Sequence, residues 1–300
     1  MDGFLNILKP TGMTSHDVVK VLRRILGEKK TGHTGTLDPM ASGVLPIGIG
    51  AATKITEYLD RDFKKYRCEL VLGITTDTGD IWGNILERNQ NISYNIDDVF
   101  DFEKEYRGEI MQVPPMYSAV RIGGRRLYEY ARSGENVDVK ARKVTINELK
   151  IIRAEGRRIL FDVECSKGTY VRTICTEIGE KLGCGAAMSF LARTSSGSFE
   201  IGNAVTFEEI EDHIQKGLPK EQLLVPVDYP VQGYRKAVLT PKQTKWFVNG
   251  GHLKLSDIKI DFDREERFYR VYNGDIFVAM AYINTATKKL VPHKVFFRDF

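Results

Sequence analysis

The feature that most constrains this fold is a strand signal followed directly by a helix signal. Residues 159–165 (ILFDVEC) place every apolar side chain except Leu160 on one face of an extended chain, and such alternation predicts a half-buried β-strand. The run ends at 166–168 (SKG), and apolar residues then recur at helical spacing up to Gly183. This succession predicts that strands and helices are mixed within one fold.

Other parts of the chain repeat this mixture without a regular order. Thr14 is a good N-cap for a helix whose apolar face continues to Gly27, a residue that suits a helix C-terminus. Runs at 4–8 and 66–72 predict strands, and the acidic run at 96–107 predicts a short helix. Because no regular βαβ pattern is present, the sequence predicts an α+β or mixed α/β fold.

The composition narrows the class of protein. The 300 residues suffice for one large and one small domain, and the net charge of +4 is compatible with nucleic acid without demanding it. No apolar run approaches the roughly 18 residues that span a bilayer, so neither membrane insertion nor secretion is expected. The four cysteines form no C-x-x-C pair, which argues against a zinc or redox motif and suits the cytoplasm.

The C-terminal part differs in pattern and charge. Short strand-like runs at 268–272 and 276–280 flank the turn signal at 273–275 (NGD), and a plausible linker lies at 225–230. Residues 235–300 carry 13 Lys and Arg against 7 Asp and Glu. We therefore expect a large domain over 1–234 and a small, basic, β-rich domain over 235–300.

Two glycine-containing runs are candidates for a site. The run at 32–39 (GHTGTLDP) lies in a loop and ends with Asp38 before a rigid proline. On chemistry alone, a structural turn explains this run better than a catalytic acid does. The run at 48–53 (GIGAAT) lacks the third glycine of a dinucleotide fingerprint, so we interpret it as a strand-to-helix turn and expect neither NAD nor ATP.

Two further segments carry aromatic and basic side chains. If the strand at 159–165 continues, Tyr170 and Arg172 lie on one face, where the ring could stack on a base and the guanidinium could bind a carboxylate or phosphate. Residues 113–143 carry seven Lys and Arg against three Asp and Glu, with three tyrosines interleaved. That pattern fits RNA backbone contact and base stacking, and equally a solvated surface segment.

Taken together, these runs closely resemble the TruB family of tRNA pseudouridine synthases. The matching stretches, in the family's order, are 9–12 (KPTG), 32–39 (GHTGTLDP), 65–66 (KY), 113–119 (VPPMYSA), 166–172 (SKGTYVR) and 183–186 (GCGA). Each is weak alone, but the ordered set is specific and spans nearly all of 4–194. The C-terminal part resembles a PUA domain, an RNA-binding β-module, mainly in position, size and strand pattern.

The resemblance implies a fold, a substrate and an activity. The fold would be a large, mainly antiparallel sheet with a central cleft. The substrate would be the uridine at position 55 in the T-loop of tRNA, isomerised to pseudouridine without a metal or organic cofactor. The segment 113–143 would form a mobile basic flap over the RNA, and the basic C-terminal domain would bind tRNA near its acceptor arm.

The resemblance also assigns the central residues. Asp38 would be the catalytic carboxylate, kept ionised and aimed by Arg172. The target base would leave its stack, a step that costs a few kcal/mol. His33 would fill the gap left behind, and Tyr66 would stack on the extruded uracil and is the nearest candidate for taking the C5 proton.

The remaining assigned residues support the pocket. Tyr170 and Leu191 would line it, and Lys9 would shape the loop beneath Asp38. Whether Asp38 attacks the ribose C1′, attacks the uracil C6 or promotes elimination to a glycal is left open by the sequence.

Two alternatives compete with a stand-alone tRNA enzyme. A guide-RNA-dependent pseudouridine synthase would act on ribosomal RNA with protein partners, but this chain is short and has no long extensions. A tRNA-binding folding helper would have little need for catalysis. We expect a cytoplasmic monomer with tRNA as partner, no obligate protein partner and no membrane association.

Overall fold

A computed structural model describes residues 1–61, 63–135 and 137–297, with nineteen strands and six α-helices assigned within those ranges. The strands are β1 Gly3–Lys9, β2 Thr31–His33, β3 Ser42–Ile49, β4 Lys64–Leu72, β5 Ile74–Thr76, β6 Ile85–Arg88, β7 Gly108–Gln112, β8 Arg121–Ile122, β9 Arg125–Arg126, β10 Arg142–Glu155, β11 Arg158–Cys165, β12 Ala186–Ser196, β13 Phe199–Glu200, β14 Arg235–Leu239, β15 Leu253–Lys254, β16 Lys259–Ile260, β17 Tyr269–Asn273, β18 Ile276–Asn284 and β19 Lys289–Val295. The α-helices are α1 Ser15–Leu26, α2 Ile96–Glu105, α3 Leu127–Arg132, α4 Val171–Lys181, α5 Phe207–Gln215 and α6 Pro241–Phe247. Short 3-10 helices span Gly50–Arg61, Ile201–Asn203, Lys220–Leu223, Tyr229–Val231 and Leu255–Asp257.

A nine-stranded sheet forms the frame of the larger part. Its main path runs β1-β3-β12-β4-β11-β10-β7, with β2 added to β3 and β13 added to β12. Its pairs are antiparallel except that between β12 and β3, so the predicted mixed and mainly antiparallel sheet is confirmed. In the parallel pair, Gly43 lies opposite Arg193. A Cβ at Gly43 would lie 2.2 Å from the Arg193 carbonyl oxygen, so only glycine allows this approach.

Helix α1 begins and ends where the sequence signals predict. The Thr14 side chain accepts a hydrogen bond from the amide of Asp17, whose carboxylate accepts one from the Thr14 amide, forming a capping box. Gly27 ends the helix in the left-handed conformation. The buried face of the helix packs on the apolar core beneath the sheet. The hydroxyl of Ser15, at the start of this helix, hydrogen-bonds to the backbone of Leu37 in the loop that follows β2.

Two predictions for neighbouring segments fare differently. The run at 48–53 is the expected strand-to-helix turn, since β3 ends at Ile49 and a 3-10 helix begins at Gly50. The run at 32–39 was expected to lie in a loop, which is wrong for Gly32 and His33, because Thr31–His33 form β2. Those residues pair antiparallel with 47–49 of β3, because the loop returns beside that strand and satisfies its free edge.

The C-terminal part forms a second sheet, as expected. Its six strands lie in the order β15-β19-β18-β17-β14-β16 around a small apolar core of its own. A further buried cluster joins Phe4 and Tyr58 of the larger part to Met280 of β18. The Tyr58 hydroxyl lies 2.6 Å from Nδ1 of His293 on β19. The two parts therefore share buried contacts.

Two further observations concern the length of the helices and the state of the cysteines. Within the described ranges, no helix is long and apolar enough to cross a bilayer. All four cysteines are free and buried.

Candidate active site

A cavity of about 940 Å³ opens on the loop that carries Asp38. Its walls combine the start of α1, the Asp38 loop, the hairpin between β5 and β6, the segment 113–143 and the first turn of α4. The lining residues are Thr14, Ser15, His16, His33, Thr36, Leu37, Asp38, Pro39, Met40, Thr78, Asp80, Trp82, Tyr117, Ser118, Ala119, Arg121, Arg126, Tyr128, Arg132 and Arg172. The structure thus brings Asp38, His33, Arg172 and part of the basic segment to one cavity.

Asp38 and Arg172 form an ion pair at this cavity. Nη2 of Arg172 lies 2.9 Å from Oδ2 of Asp38. The guanidinium also donates to the carbonyl oxygen of Thr78 at 2.9 Å and to that of Tyr117 at 3.0 Å. A guanidinium that is held by two backbone carbonyls has a fixed direction. The pair that the resemblance implied is therefore present, with the arginine as its fixed member.

The Asp38 loop is anchored by two buried cations. The Arg193 guanidinium donates to the carbonyl oxygen of Val44 at 2.7 Å and to those of Gly35 and Thr36 at 3.4 Å. The Lys9 ammonium donates to the carbonyl oxygens of Pro10 and Met13 at 2.8 and 2.6 Å, and to that of Pro39 at 3.4 Å. The two cations hold the backbone on both sides of Asp38.

The side chain of Ser15, at the start of α1, completes this support. Its hydroxyl donates to the Leu37 carbonyl oxygen at 3.1 Å and accepts from the Leu37 amide at 2.8 Å. Residue 37 directly precedes the candidate catalytic carboxylate. The loop is therefore tied to α1 by hydrogen bonds in both directions.

Burial lowers the pKa of the Lys9 ammonium. Lys9 is fully buried, and removal from water lowers its pKa to about 8, with Asp38 opposing the shift and Arg193 adding to it. Lys9 therefore lies close enough to the site for Asp38 to influence its charge. The position fits the supporting role that the resemblance implied for this residue.

Tyr66 lies on β4 behind the Asp38 loop. Burial raises the pKa of its hydroxyl, and the neighbouring Arg193, which hydrogen-bonds to it, opposes that shift; Asp38 adds to it more weakly. The hydroxyl therefore keeps its proton at neutral pH. The role of Tyr66 in taking the C5 proton stays a prediction.

His33, at the end of β2, lines the cavity with a ring that stays neutral at physiological pH. Burial lowers its pKa, and Arg193 and His16 lower it further. Its buried Nδ1 has no hydrogen-bond partner among the described residues. A neutral ring with a free nitrogen at the cavity wall fits a residue that contacts a nucleobase.

Tyr170 and Leu191 are placed differently from the expectation. Tyr170 is not on a strand face with Arg172, because β11 ends at Cys165 and Tyr170 is the N-cap of α4. Its backbone exchanges hydrogen bonds with the Gln112 side chain at 2.7 and 3.1 Å. Leu191 is buried in the main core. Among described residues, the set that lines the cavity includes neither of these two nor Tyr66.

The segment 113–143, described except at residue 136, contributes one wall. Arginine and tyrosine side chains stack on each other there: Arg125 lies 4.2 Å from the Tyr130 ring centre, and Arg126 and Arg132 lie 5.8 and 5.4 Å from that of Tyr128. Such pairs hold cationic groups in place at a solvent-facing surface. Arg126, Arg132 and Tyr128 line the cavity, whereas Arg125 does not.

Sequence reasoning missed Arg193, Asp80 and Trp82. Arg193 gave no signal, since its burial follows from the pairing of β12 with β3. Oδ2 of Asp80 lies 3.8 Å from Nη1 of Arg172. Trp82 exposes its ring at the cavity. The two carboxylates of the run at 77–80 (DTGD) were a usable signal for Asp80.

Comparison with known families decides the identity. The model described as "TruB family pseudouridylate synthase (N terminal domain)" matches residues 23–171, and that described as "tRNA pseudouridylate synthase B C-terminal domain" matches 172–232. The chain belongs to the TruB family of pseudouridine synthases. The family resemblance and the enzyme class inferred from the sequence are thereby confirmed.

TruB relatives match nearly the whole chain. A protein named tRNA pseudouridine synthase B from Clostridioides difficile (strain 630) is 47% identical, covering 93% of this chain and 94% of the relative. One of the same name from Alkaliphilus oremlandii (strain OhILAs) is 49% identical, covering 84% and 83%. Both matches cover more than four fifths of this chain.

Solved structures support the TruB fold. A chain in the crystal structure of a Cbf5-Nop10-Gar1 complex has a TM-score of 0.77 and 29% identity, covering 99% of this chain and 86% of that chain. A chain in the archaeal box H/ACA sRNP Nop10-Cbf5 complex gives 0.75 and 27%, covering 99% and 87%. The predicted fold class is confirmed over both sheets.

Proposed function

We propose that this TruB family enzyme isomerises the uridine at position 55 in the T-loop of tRNA to pseudouridine, with Asp38 as the nucleophile. The observation that carries the proposal is the Asp38–Arg172 pair at 2.9 Å, at a cavity lined by three further arginines. The curated relatives named tRNA pseudouridine synthase B support tRNA as the substrate.

The reaction conserves every atom of the nucleotide. The N1–C1′ bond breaks, a C5–C1′ bond forms, the C5 proton leaves and N1 gains a proton. Detached uracil must turn before it rejoins the ribose, so the site has to hold both fragments. An ionised carboxylate beside a fixed guanidinium suits the electron-poor centre that forms when the glycosidic bond breaks.

The residues around Asp38 have different roles in binding the target nucleotide. A base has to leave its stack to reach Asp38, and His33 at the cavity wall is placed to fill the space it leaves. Tyr66 stacks on the extruded uracil and is the nearest candidate for taking the C5 proton. Tyr170 and Leu191 act from outside the cavity wall and shape the pocket indirectly. Lys9 holds the backbone beneath the carboxylate.

RNA binding extends beyond the cavity. We assign residues 1–234 to catalysis, with 113–143 as a basic flap that moves over the RNA, and residues 235–300 to a PUA-like domain near the acceptor arm. The enzyme acts in the cytoplasm as a monomer without a guide RNA. The 47–49% identity to proteins named tRNA pseudouridine synthase B, against 27–29% to chains in the two complexes that contain Cbf5 and Nop10, favours this assignment.

An experiment on pure protein tests this function. The protein is mixed with an unmodified tRNA transcript and, as the matched control, with a transcript carrying cytidine at position 55. Pseudouridine is mapped by carbodiimide modification and primer extension. We expect product at position 55 in the first transcript only. Product that required an added guide RNA, or that appeared at another position, would contradict the proposal.

A further inference from the structure

Trp82 exposes a large aromatic ring at the active-site cavity. The residue is 57% exposed although it lines the same cavity as Asp38 and Arg172. Tryptophan is enriched among the residues that contribute most binding energy at interfaces. We propose that Trp82 is a stacking platform for a nucleobase of the RNA strand beside the target uridine, an inference that rests on the proposed function above.

The backbone beneath this ring is fixed by a buried carboxylate. Oδ1 of Asp80 accepts the Trp82 amide at 3.0 Å and the Thr78 hydroxyl at 2.9 Å. The Ile81 amide donates to the carbonyl oxygen of Met188 on β12 at 3.0 Å, which ties the hairpin to the main sheet. The ring therefore projects from a rigid turn, so little ordering entropy is lost when a base stacks on it.

The turn after Trp82 is closed just as tightly. Asp77 accepts the Asn84 amide at 2.8 Å and the Asn84 side-chain amide at 3.0 Å. A Cβ at Gly83 would lie 2.3 Å from Oγ1 of Thr78 and 2.4 Å from Oδ1 of Asp77. Only glycine fits there without displacing these groups, and the hairpin holds a single shape on both sides of Trp82.

The same hairpin also holds the catalytic pair. Arg172 donates to the Thr78 carbonyl oxygen at 2.9 Å, and its Nη1 lies 3.8 Å from Oδ2 of Asp80. One turn thus fixes both the guanidinium that aims Asp38 and the ring of Trp82. A base stacked on Trp82 has a set position relative to the reacting carboxylate, which is what placement of the neighbouring nucleotide requires.

The charges of the cavity favour RNA as the occupant. Arg121, Arg126 and Arg132 line it, whereas its two carboxylates, Asp38 and Asp80, both face Arg172. Aromatic platforms beside cationic side chains are the usual means of holding single-stranded nucleotides whose bases have left the helix. The extruded uridine occupies the position at Asp38, so Trp82 receives a different base.

Fluorescence tests this role directly, because the chain contains only two tryptophans, Trp82 and Trp246. The variant Trp246→Phe keeps an aromatic ring against Gly251 and leaves Trp82 as the sole tryptophan. Titration with an unmodified T-arm stem-loop RNA is expected to quench its emission, saturating near the KM for that RNA. A base stacked on the Trp82 ring should also shield it from quenching by iodide.

Kinetics supply the matched readout. Stacking of one base predicts a roughly tenfold higher KM for Trp82→Ala with kcat within about twofold, and near-complete recovery in Trp82→Phe. Phe100→Ala, which removes another exposed ring at a site away from the cavity, is the control and should leave KM unchanged. If the RNA does not quench the emission of Trp246→Phe and the KM of Trp82→Ala is unchanged, the inference is overturned. Absence of product from the unaltered protein would overturn the proposed function and this inference with it.

Discussion

Arg172 and Asp38 are 2.9 Å apart and differ sharply in exposure: 6% of the arginine side chain is accessible to solvent, against 38% of the aspartate. The cation is therefore a buried part of the protein frame, and the carboxylate is the member open to substrate. Two backbone carbonyls, of Thr78 and Tyr117, fix the guanidinium independently of Asp38. Arg172 therefore orients the Asp38 carboxylate from its buried side.

This arrangement predicts that Arg172→Lys is not a conservative change. A single ammonium cannot reach Asp38 and both carbonyl oxygens in the geometry of the planar guanidinium. We expect kcat to fall about 10- to 100-fold from misplacement of the carboxylate, with a smaller change in KM. Single-turnover assays on the tRNA transcript measure the step. An unaltered kcat in a folded Arg172→Lys protein would show that the guanidinium does not aim Asp38.

Replacement of Arg193 is predicted to lower the stability of the whole fold. Its fully buried guanidinium donates to the carbonyl oxygens of Val44, Gly35 and Thr36. Arg193→Ala should lower the free energy of unfolding by about 3–5 kcal/mol, because buried acceptors lose their donor and a cavity forms. Urea denaturation provides the value. Arg67→Ala, which breaks an exposed pair with Asp162, is the control and should cost under about 1 kcal/mol.

Lys9 predicts a specific dependence of stability on pH. Its pKa is about 8 in the folded protein and 10.5 in the unfolded chain. Between these values the unfolded state binds more protons, so the Lys9 contribution to stability rises with pH. Relative to Lys9→Met, the unaltered protein should gain roughly 1 kcal/mol between pH 7 and pH 9. A difference between the two proteins that is constant over this range would contradict the lowered pKa.

The segment 113–143 predicts different effects for two neighbouring arginines. Arg126 lines the cavity, whereas Arg125 is paired with Glu135 at 3.2 Å and stacks on Tyr130. Arg126→Ala should weaken RNA binding and reduce the salt slope by about one unit, as one phosphate contact is lost. Arg125→Ala should leave that slope nearly unchanged. Filter binding at several salt concentrations measures the two slopes. Equal slopes for the two variants would contradict the prediction that only Arg126 contacts a phosphate.

Local signals predicted most of the separate elements. Thr14 and Gly27 mark the ends of α1 because their effects act within one turn of the helix. The alternation at 159–165 predicted β11 because a sheet with one buried face imposes a period of two on its strand. The β-rich C-terminal part followed from its short runs and turns in the same way.

Long-range features could not be derived from such signals. Tyr170 starts a helix although its side chain does not cap it; the Gln112 side chain, 58 residues earlier, binds its backbone instead. The burial of Arg193 depends on the parallel pairing of β12 with β3, which no local pattern encodes. The Asp38–Arg172 pair was predicted only through resemblance to a family, and Trp82 was missed because its importance depends on the cavity.

The most direct test of this account is pseudouridine formation by Asp38→Asn on the unmodified tRNA transcript. Asparagine keeps the shape of the side chain and removes the negative charge. We predict that product formation falls by more than about a thousandfold while the Kd for a T-arm RNA stays within about threefold. Near-normal turnover by a folded Asp38→Asn protein would contradict the claim that this carboxylate performs the reaction.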